Sequence, residues 1–329
     1  MITEHIARAT VLAALGLAQR AMSVHNTQPW TWRIAPHSVH LYADRSRWLP
    51  ATDPDGRDLE LSCGAVLHHL QVALGAAGIR AVVHRLPNPA EADHLAAVEL
   101  QPGAVPDADI PLAAAIERRW TDRRAFTTWP VPDGVIAELC DRAGAQGAVL
   151  RPVTEPSART RLLAAIEEAD RIQEQGSDYR TELALWSGRA TGPDGVPASN
   201  LVADRAGDGP AMRHFAGAPE ADDSPGSPDG ALLLVLGTAS DDTMSRLRAG
   251  EAASAVLLHA TAFGLASSPL SQPLEVRRTR TVLRDEVAGG TVIPQLVLRV
   301  GWAPAGPVPP LTPRRPTSET VLDESSDSR

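Results

Sequence analysis

The sequence contains no lysine: all 31 of its Lys-plus-Arg residues are arginine. That absence excludes a Schiff-base nucleophile and a Walker-type phosphate loop. Cysteine is nearly absent as well. Cys63 and Cys140 are too few for a disulfide scaffold and fit a reducing cytoplasm. No uninterrupted apolar run reaches ~18 residues, so no transmembrane helix is expected. Residues Met1 to His5 lack the basic and apolar stretches of a signal peptide. Positive charge is in deficit, with a net charge of −9. This argues against a general nucleic-acid binder or a membrane-surface binder and leaves room for a local basic pocket. Neither a Gly-x-Gly-x-x-Gly fingerprint nor a Gly-x-Ser-x-Gly nucleophile elbow occurs. The histidines and cysteines show no zinc spacing. Asp53-Pro54-Asp55-Gly56 begins like a calcium loop that no glutamate completes. No metal is expected.

What is present is an ordinary globular composition, 43% hydrophobic and 22% charged over 329 residues, long enough for about two domains. Periodicity predicts a helix over 3–22, with Ile6, Ala9, Ala13 and Leu17 on one face. A hairpin is expected from Trp32-Arg33-Ile34 and Val39-His40-Leu41-Tyr42, then a buried helix from Asp58 to Gly78. Ala81-Val82-Val83 and Ala96–Leu100 are strand candidates, and Gln101–Asp109 is a linker. That linker divides the chain into 1–107 and 108–329. In the second part, helices are expected at Ile110–Arg118, 133–143, Ser157–Trp186, Asp242–Gly264 and Leu274–Arg284. Strands are expected at 148–153, Ala231–Gly237 and Gln295–Val300. Segment 187–230, rich in Gly, Pro, Asp and Ala, has the length of a lid, a functional loop or disorder. Ala303–Thr317 is Pro-rich and extended, and the last dozen residues are expected to fray.

An offset of 186 residues aligns the two buried helices. Gly78 falls over Gly264, Gly64 over Gly250, Leu67 over Ala253 and Leu70 over Val256. The match suggests two related halves, the first shortened.

Three segments could carry chemistry. Arg118-Arg119-Trp120-Thr121-Asp122-Arg123-Arg124 holds four guanidiniums and a hydroxyl, a candidate anion cradle, with Arg314-Arg315 as a second pair. The same cluster also fits solvated arginines at a helix end. Ser23-Val24-His25-Asn26-Thr27-Gln28-Pro29-Trp30 offers polar groups for a heteroaromatic ring, or only for its own backbone. Gly264–Gln272 is small enough for backbone to approach a flat ligand, or is a plain helix-to-strand turn. His68-His69 and the acids Glu167, Glu168, Asp170 and Glu174 read as core and solvated-face residues.

Together these motifs resemble the flavin-dependent nitroreductase superfamily. Arg119-Trp120-Thr121-Asp122-Arg123 resembles its phosphate-binding Arg-x-Ser-x-Arg. Ser23–Trp30 resembles its Ser-x-x-Asn-x-Gln-Pro-Trp loop, and Gly264–Gln272 its Gly-Leu-small-small-x-Pro segment. Val300-Gly301-Trp302-Ala303-Pro304 and Pro313-Arg314-Arg315-Pro316 resemble its last strand and C-terminal phosphate contacts. The loop precedes the Arg motif here, an order similar to the Acg-type nitroreductase-like proteins of actinobacteria. The resemblance implies an α+β nitroreductase-like fold, helices around mixed sheets, with a truncated half fused to a fuller one. One chain then imitates a dimer, so a monomer suffices, although further dimerisation stays open. It implies one FMN site between the halves. Arg119, Thr121 and Arg123, with Arg314 or Arg315, would hold the phosphate. Met22, Ser23 and Val24 would lie along the flavin, with Asn26 and Gln28 holding that loop or bonding the flavin. Ser268, Pro269, Leu270 and Ser271 would cover one ring edge, and the N–H of Ser271 or Gln272 would face flavin N5. No catalytic side chain is implied. The implied activity is NAD(P)H-dependent two-electron reduction of a nitro compound, a quinone or another small aromatic acceptor, in the cytoplasm. With 187–230 as a closed lid, the implied role is FMN storage instead. An interaction protein that keeps the fold without cofactor is the third reading.

Overall fold

The structure, a computed structural model, describes residues 6–189, 191–201, 213, 215 and 229–322. The first helix, α1 (Arg8–Ala18), leads through a tight loop into the hairpin β1 (Trp30–Ala35) and β2 (Ser38–Ala43). Helix α2 (Arg57–Ala76) follows, then β3 (Ile79–Arg85) and β4 (His94–Pro102). Next come α3 (Asp109–Arg118), α4 (Asp133–Ala145), β5 (Val149–Pro152), α5 (Pro156–Glu174) and α6 (Ser177–Trp186). Short strands β6 (Ser187–Arg189) and β7 (Val196–Pro197) pair with each other. The remainder is β8 (Leu232–Thr238), α7 (Thr243–Ala262), β9 (Ala266–Leu270), α8 (Gln272–Glu275), α9 (Arg277–Val282), β10 (Ile293–Gly301), α10 (Thr317–Thr320) and β11 (Val321–Leu322).

The class is α+β. One sheet runs β11-β1-β2-β4-β3 and another β5-β8-β10-β9. The first is mixed, because β11 joins β1 in parallel while its other pairs are antiparallel. Helix α2 packs on β2 and β3, α7 on β8, β9 and β10, and the two helices pack on each other. One apolar cluster runs through both, from Val11 to Val300. Both helices are buried on nearly every face, which is why they read as continuous apolar runs rather than stripes.

Glycine permits the helix crossing. A Cβ on Gly64 would lie 2.0 Å from the Leu247 carbonyl oxygen, and one on Gly250 would lie 2.0 Å from that of Leu61. These contacts are reciprocal under the 186-residue offset, as in an isologous interface. Each helix also ends in a left-handed glycine, Gly78 at φ 74° and Gly264 at φ 82°. Gly64→Ala must push two backbones apart. We expect it to cost about 2–3 kcal/mol, a drop of several degrees in Tm by calorimetry. An unchanged Tm would reject so close a crossing.

Three expectations need correction. The single helix over 157–186 is two, broken at Gln175-Gly176, where the Gly176 N–H bonds the Gln173 carbonyl. The break swings α6 so that Glu182 accepts from the Ala51 and Thr52 N–H groups at 3.1 and 2.8 Å. The expected helix 274–284 is split at Val276, which is extended. The C-terminus does not simply fray: Val321 pairs with Trp32, and the Thr320 hydroxyl accepts from Gln19. So the first sheet takes a strand from the far end of the chain. Of segment 187–230, β6 and β7 are regular, and 190, 202–212, 214 and 216–228 lie outside the described residues.

A candidate cofactor cleft

The loop after α1 has little freedom. His25, Asn26 and Gln28 all have positive φ, near 50°, a costly state for residues other than glycine. Its own polar groups hold it. The Gln28 N–H donates to Ser23 Oγ at 2.9 Å, and Thr27 Oγ donates to the Val24 carbonyl at 2.9 Å. Asn26 Nδ2 donates to the carbonyls of Gly195 and Pro313 at 3.0 and 3.1 Å. Gln28 clamps the same two segments, donating to Pro193 and accepting from the Arg315 N–H at 2.8 Å.

Beside this loop opens a cleft of about 1040 Å³, its open mouth included. Its walls come from both sides of the α2–α7 crossing. Met22, Ser23, Val24 and Asn26 line it from the first loop; Pro269, Leu270, Ser271 and Gln272 line it from β9 and α8. Arg119, Thr121, Arg123 and Arg314 also line it.

Three of the sequence-predicted residues are not on its walls. Gln28 is fully buried behind the loop. Ser268 is fully buried on β9, opposite Arg299. Arg315 turns away, donating to the carbonyls of Gln28 and Glu319 at 3.1 Å.

One end of the cleft is basic. Arg119 follows α3 and is 4% exposed. Its NH2 donates to the Arg20 carbonyl at 2.8 Å, while its Nε and NH1 are buried without a partner among the described residues. Arg314 donates to the same carbonyl at 3.2 Å, and its Nε is also buried without a partner. Arg20, behind the cleft wall, donates to the Glu117 carbonyl at 3.1 Å, and its Nε is buried without a partner among the described residues. These guanidiniums gather at the carbonyl end of α1, where the helix dipole favours cations. Burial, then the charge of Arg20, pushes Arg119 down to about 10. Burial, then Arg119 and Arg20, pushes Arg314 down to about 9. Buried donors without acceptors and like charges without a carboxylate fit an anion with several oxygens, such as a phosphate.

Arg123 is placed elsewhere. Its guanidinium lies 5.3 Å from the Phe215 ring centre, and burial, then Arg213 and Arg299, lowers it to about 10. The expected phosphate set is therefore divided, with Arg314 and the unforeseen Arg20 beside Arg119.

Carboxyls gather around the start of α2. Asp53 caps α2, accepting from the Arg57 and Leu59 N–H groups at 2.8 and 3.0 Å. Asp58 and Ser62, one turn apart on α2, line the cleft. Arg213 bonds Glu275 at 2.5 Å and also reaches Tyr179, whose hydroxyl burial raises to about 12. Glu275 accepts from Gln173 and Ser271 as well, at 2.6 and 2.7 Å.

Asp58, Ser62, Arg213 and Phe215 on the cleft wall, and Arg20 behind it, were missed by sequence reasoning, while His25 was named only as part of its loop. Asp58 alone left a signal, an acid inside the apolar helix run. The other weak sequence candidates have structural roles. His68 and His69 share the Ser254 hydroxyl at 2.8 and 2.7 Å, and Asp55 pairs with Arg277 and Arg280.

No protein-family model matches the chain. Curated relatives do. "Putative NAD(P)H nitroreductase Rv3131" of Mycobacterium tuberculosis H37Rv is 49% identical over 316 residues, 95% of this chain and 91% of that one. "Putative NAD(P)H nitroreductase acg" of the same strain is 38% identical over 323 residues, 97% of each. Among solved structures, the FMN-dependent nitroreductase NfnB of Mycobacterium smegmatis in complex with NADPH is 19% identical, with a TM-score of 0.39 over 65% of this chain and 98% of that one. A Bacteroides fragilis nitroreductase with bound FMN is 11% identical, with a TM-score of 0.40 over 62% and 94%. Neither superposition is close enough to transfer a residue. The curated matches span nearly the whole chain, and by them this chain belongs to the nitroreductase family, in the branch that holds Rv3131 and Acg.

Proposed function

We propose that this chain is an FMN-binding flavoprotein that passes two electrons from NAD(P)H to a nitro compound, a quinone or another small aromatic acceptor. The observation that carries the reading is the basic end of the cleft. Arg119 and Arg314 line it, with Arg20 close by, and each has a buried Nε that lacks an acceptor among the described residues. Arg119 and Arg314, with Thr121 nearby, would hold the phosphate. Met22, Ser23 and Val24 would lie along the flavin from one side and Pro269 to Gln272 from the other. Asn26 and Gln28 shape the loop from behind. When bound, FMN supplies the hydride and electron chemistry. The chain's own work is to bind it, orient it and limit water. In this reading the reciprocal Gly64 and Gly250 contacts mark two halves, 1–107 and 108–329, joined as an internal pseudo-dimer. One chain then suffices for the site.

A second reading rests on Arg213. It and Phe215 reach the cleft from the 187–230 segment, and Arg213 is tied to Glu275 and Tyr179. If that tie persists, Arg213 and Phe215 cover the cleft and the protein stores FMN with little turnover.

The visible spectrum of the purified protein, followed by anaerobic NADPH, separates these readings. A flavin band that NADPH bleaches is the expected result. A band that survives NADPH and yields to dithionite favours storage. A colourless protein that gains no band with added FMN overturns both.

A further inference from the structure

Asp58 stands out among the groups on the cleft wall. It sits in the first turn of α2, is 7% exposed and faces the cleft beside Ser62 and Gln272. Among the described residues its carboxyl has no hydrogen-bond partner; only its backbone carbonyl is used, by Ser62 Oγ at 2.5 Å. An ionised carboxylate in such a place ordinarily finds a cation or several N–H donors. Several nearby donors are taken. Asp53 has claimed the N–H groups of the helix start. Arg57 pairs with Asp241 and donates to Gln295 and the Pro294 carbonyl. Arg213 is held by Glu275 and Tyr179.

Asp53 and Glu275 add negative charge on the same side. Burial, then Asp53, then Glu275, pushes Asp58 well above the usual carboxylate range, against the weaker opposing pull of Arg57 and Arg213. Two neighbouring acids in unlike settings separate into an ion and a neutral acid. Here Asp53 keeps the capped, charged role, although burial raises it to about 6.

We propose that Asp58 acts as a neutral carboxylic acid and donates a hydrogen bond from its O–H to a carbonyl oxygen or ring nitrogen of the flavin bound in the cleft. The inference rests on the flavin reading above and adds a ligand contact to it. The cleft is then bipolar, with guanidiniums for the phosphate end and an uncharged donor for the ring end. A carboxylate at that position would face lone pairs with lone pairs. The neutral acid supplies the proton that makes the contact attractive. Ser62, one turn away, shapes the same wall by accepting from the Val24 N–H at 3.3 Å.

Two readouts test this on the full chain with FMN as the probe. Infrared spectra of the FMN-loaded protein at neutral pH should show a protonated carboxyl band that Asp58→Asn removes. FMN affinity, read by quenching of flavin fluorescence, should stay within about threefold in Asp58→Asn, which keeps an N–H donor, and fall about tenfold in Asp58→Ala. The absence of an acid band in wild-type protein overturns the proposal, even if a variant fails to fold. So does an Asp58→Ala protein that binds FMN like wild type. If wild-type protein binds FMN and these signatures are missing, the Asp58 inference falls alone. If wild-type protein binds no FMN, the flavin reading falls and takes the inference with it.

Discussion

Replacing Arg119 by alanine should weaken FMN binding by about ten- to a hundredfold while leaving the unliganded protein nearly as stable. A charge-assisted hydrogen bond contributes roughly 1.5–3 kcal/mol, which converts to that range of affinity. The stability half of the expectation follows from the local charge balance. Among the described residues the Arg119 guanidinium makes one hydrogen bond, to the Arg20 carbonyl, and leaves Nε and NH1 buried without acceptors. Its charge adds to those of Arg20 and Arg314 in a region where burial already opposes ionisation. Removing it loses a bond and relieves a repulsion, so the two effects offset. Equilibrium dialysis with FMN and a melting curve without it measure both halves. An affinity equal to wild type would reject Arg119 as a phosphate ligand. A large loss of stability without FMN would mean that the guanidinium is a structural strut.

The second large effect should be on stability alone. Glu251 lies in α7 with its side chain fully buried, and Arg85 on β3 grips it in bidentate fashion at 2.7 and 2.7 Å. The bond spans from the first sheet to the helix that backs the second. Gln71 on α2 adds one donor at 2.9 Å. Arg85→Met keeps the apolar stem and removes the charge, leaving the carboxylate with Gln71. Breaking a buried pair on one side costs about 3–5 kcal/mol, because the remaining charge is buried and under-compensated. That corresponds to a fall of roughly 10 °C in Tm for a chain of this size. The double variant Arg85→Met, Glu251→Leu should recover most of the loss, since an apolar pair of similar volume often replaces a buried ion pair without penalty. A single variant with unchanged Tm would show that water reaches Glu251.

Chemistry that acts over a few residues was readable from the sequence. The Ser23–Trp30 loop stood out by its polar residue types. Its Ser23 and Thr27 hydroxyls bond backbone within five residues, whereas its Asn26 and Gln28 amides reach segments distant in sequence. The two buried helices and their closing glycines were readable because burial and φ are imposed locally. Gly64 and Gly250 were aligned by spacing alone, and their reciprocal approach needed no further information than two equivalent helices. The error at Gly176 has a local cause read too weakly: a glycine with no side chain to hold the turn lets the helix end.

Other features depend on pairs of residues distant in sequence, and no local pattern reports them. Arg119 and Arg123 sit four positions apart outside regular structure, yet one faces Arg20 and Arg314 and the other faces Phe215. Spacing in an extended segment leaves the direction of each side chain to whatever packs beside it. Val321 became a strand because Trp32 presented an open edge, not because of its own polar neighbourhood. Arg213 entered the cleft because Glu275 and Tyr179 lay within reach.

Sequence alone thus determined the motifs of the candidate site, the buried helix pair and the family resemblance, since propensity, burial pattern and motif act along the chain. Folding decided which arginines gather at the candidate anion site and which acid faces the cleft without a hydrogen-bond partner among the described residues. Charge and desolvation act through space, and their balance at Arg119, Arg314 and Asp58 exists only once helices α1, α2 and α3, the chain that follows them and the C-terminal segment have come together.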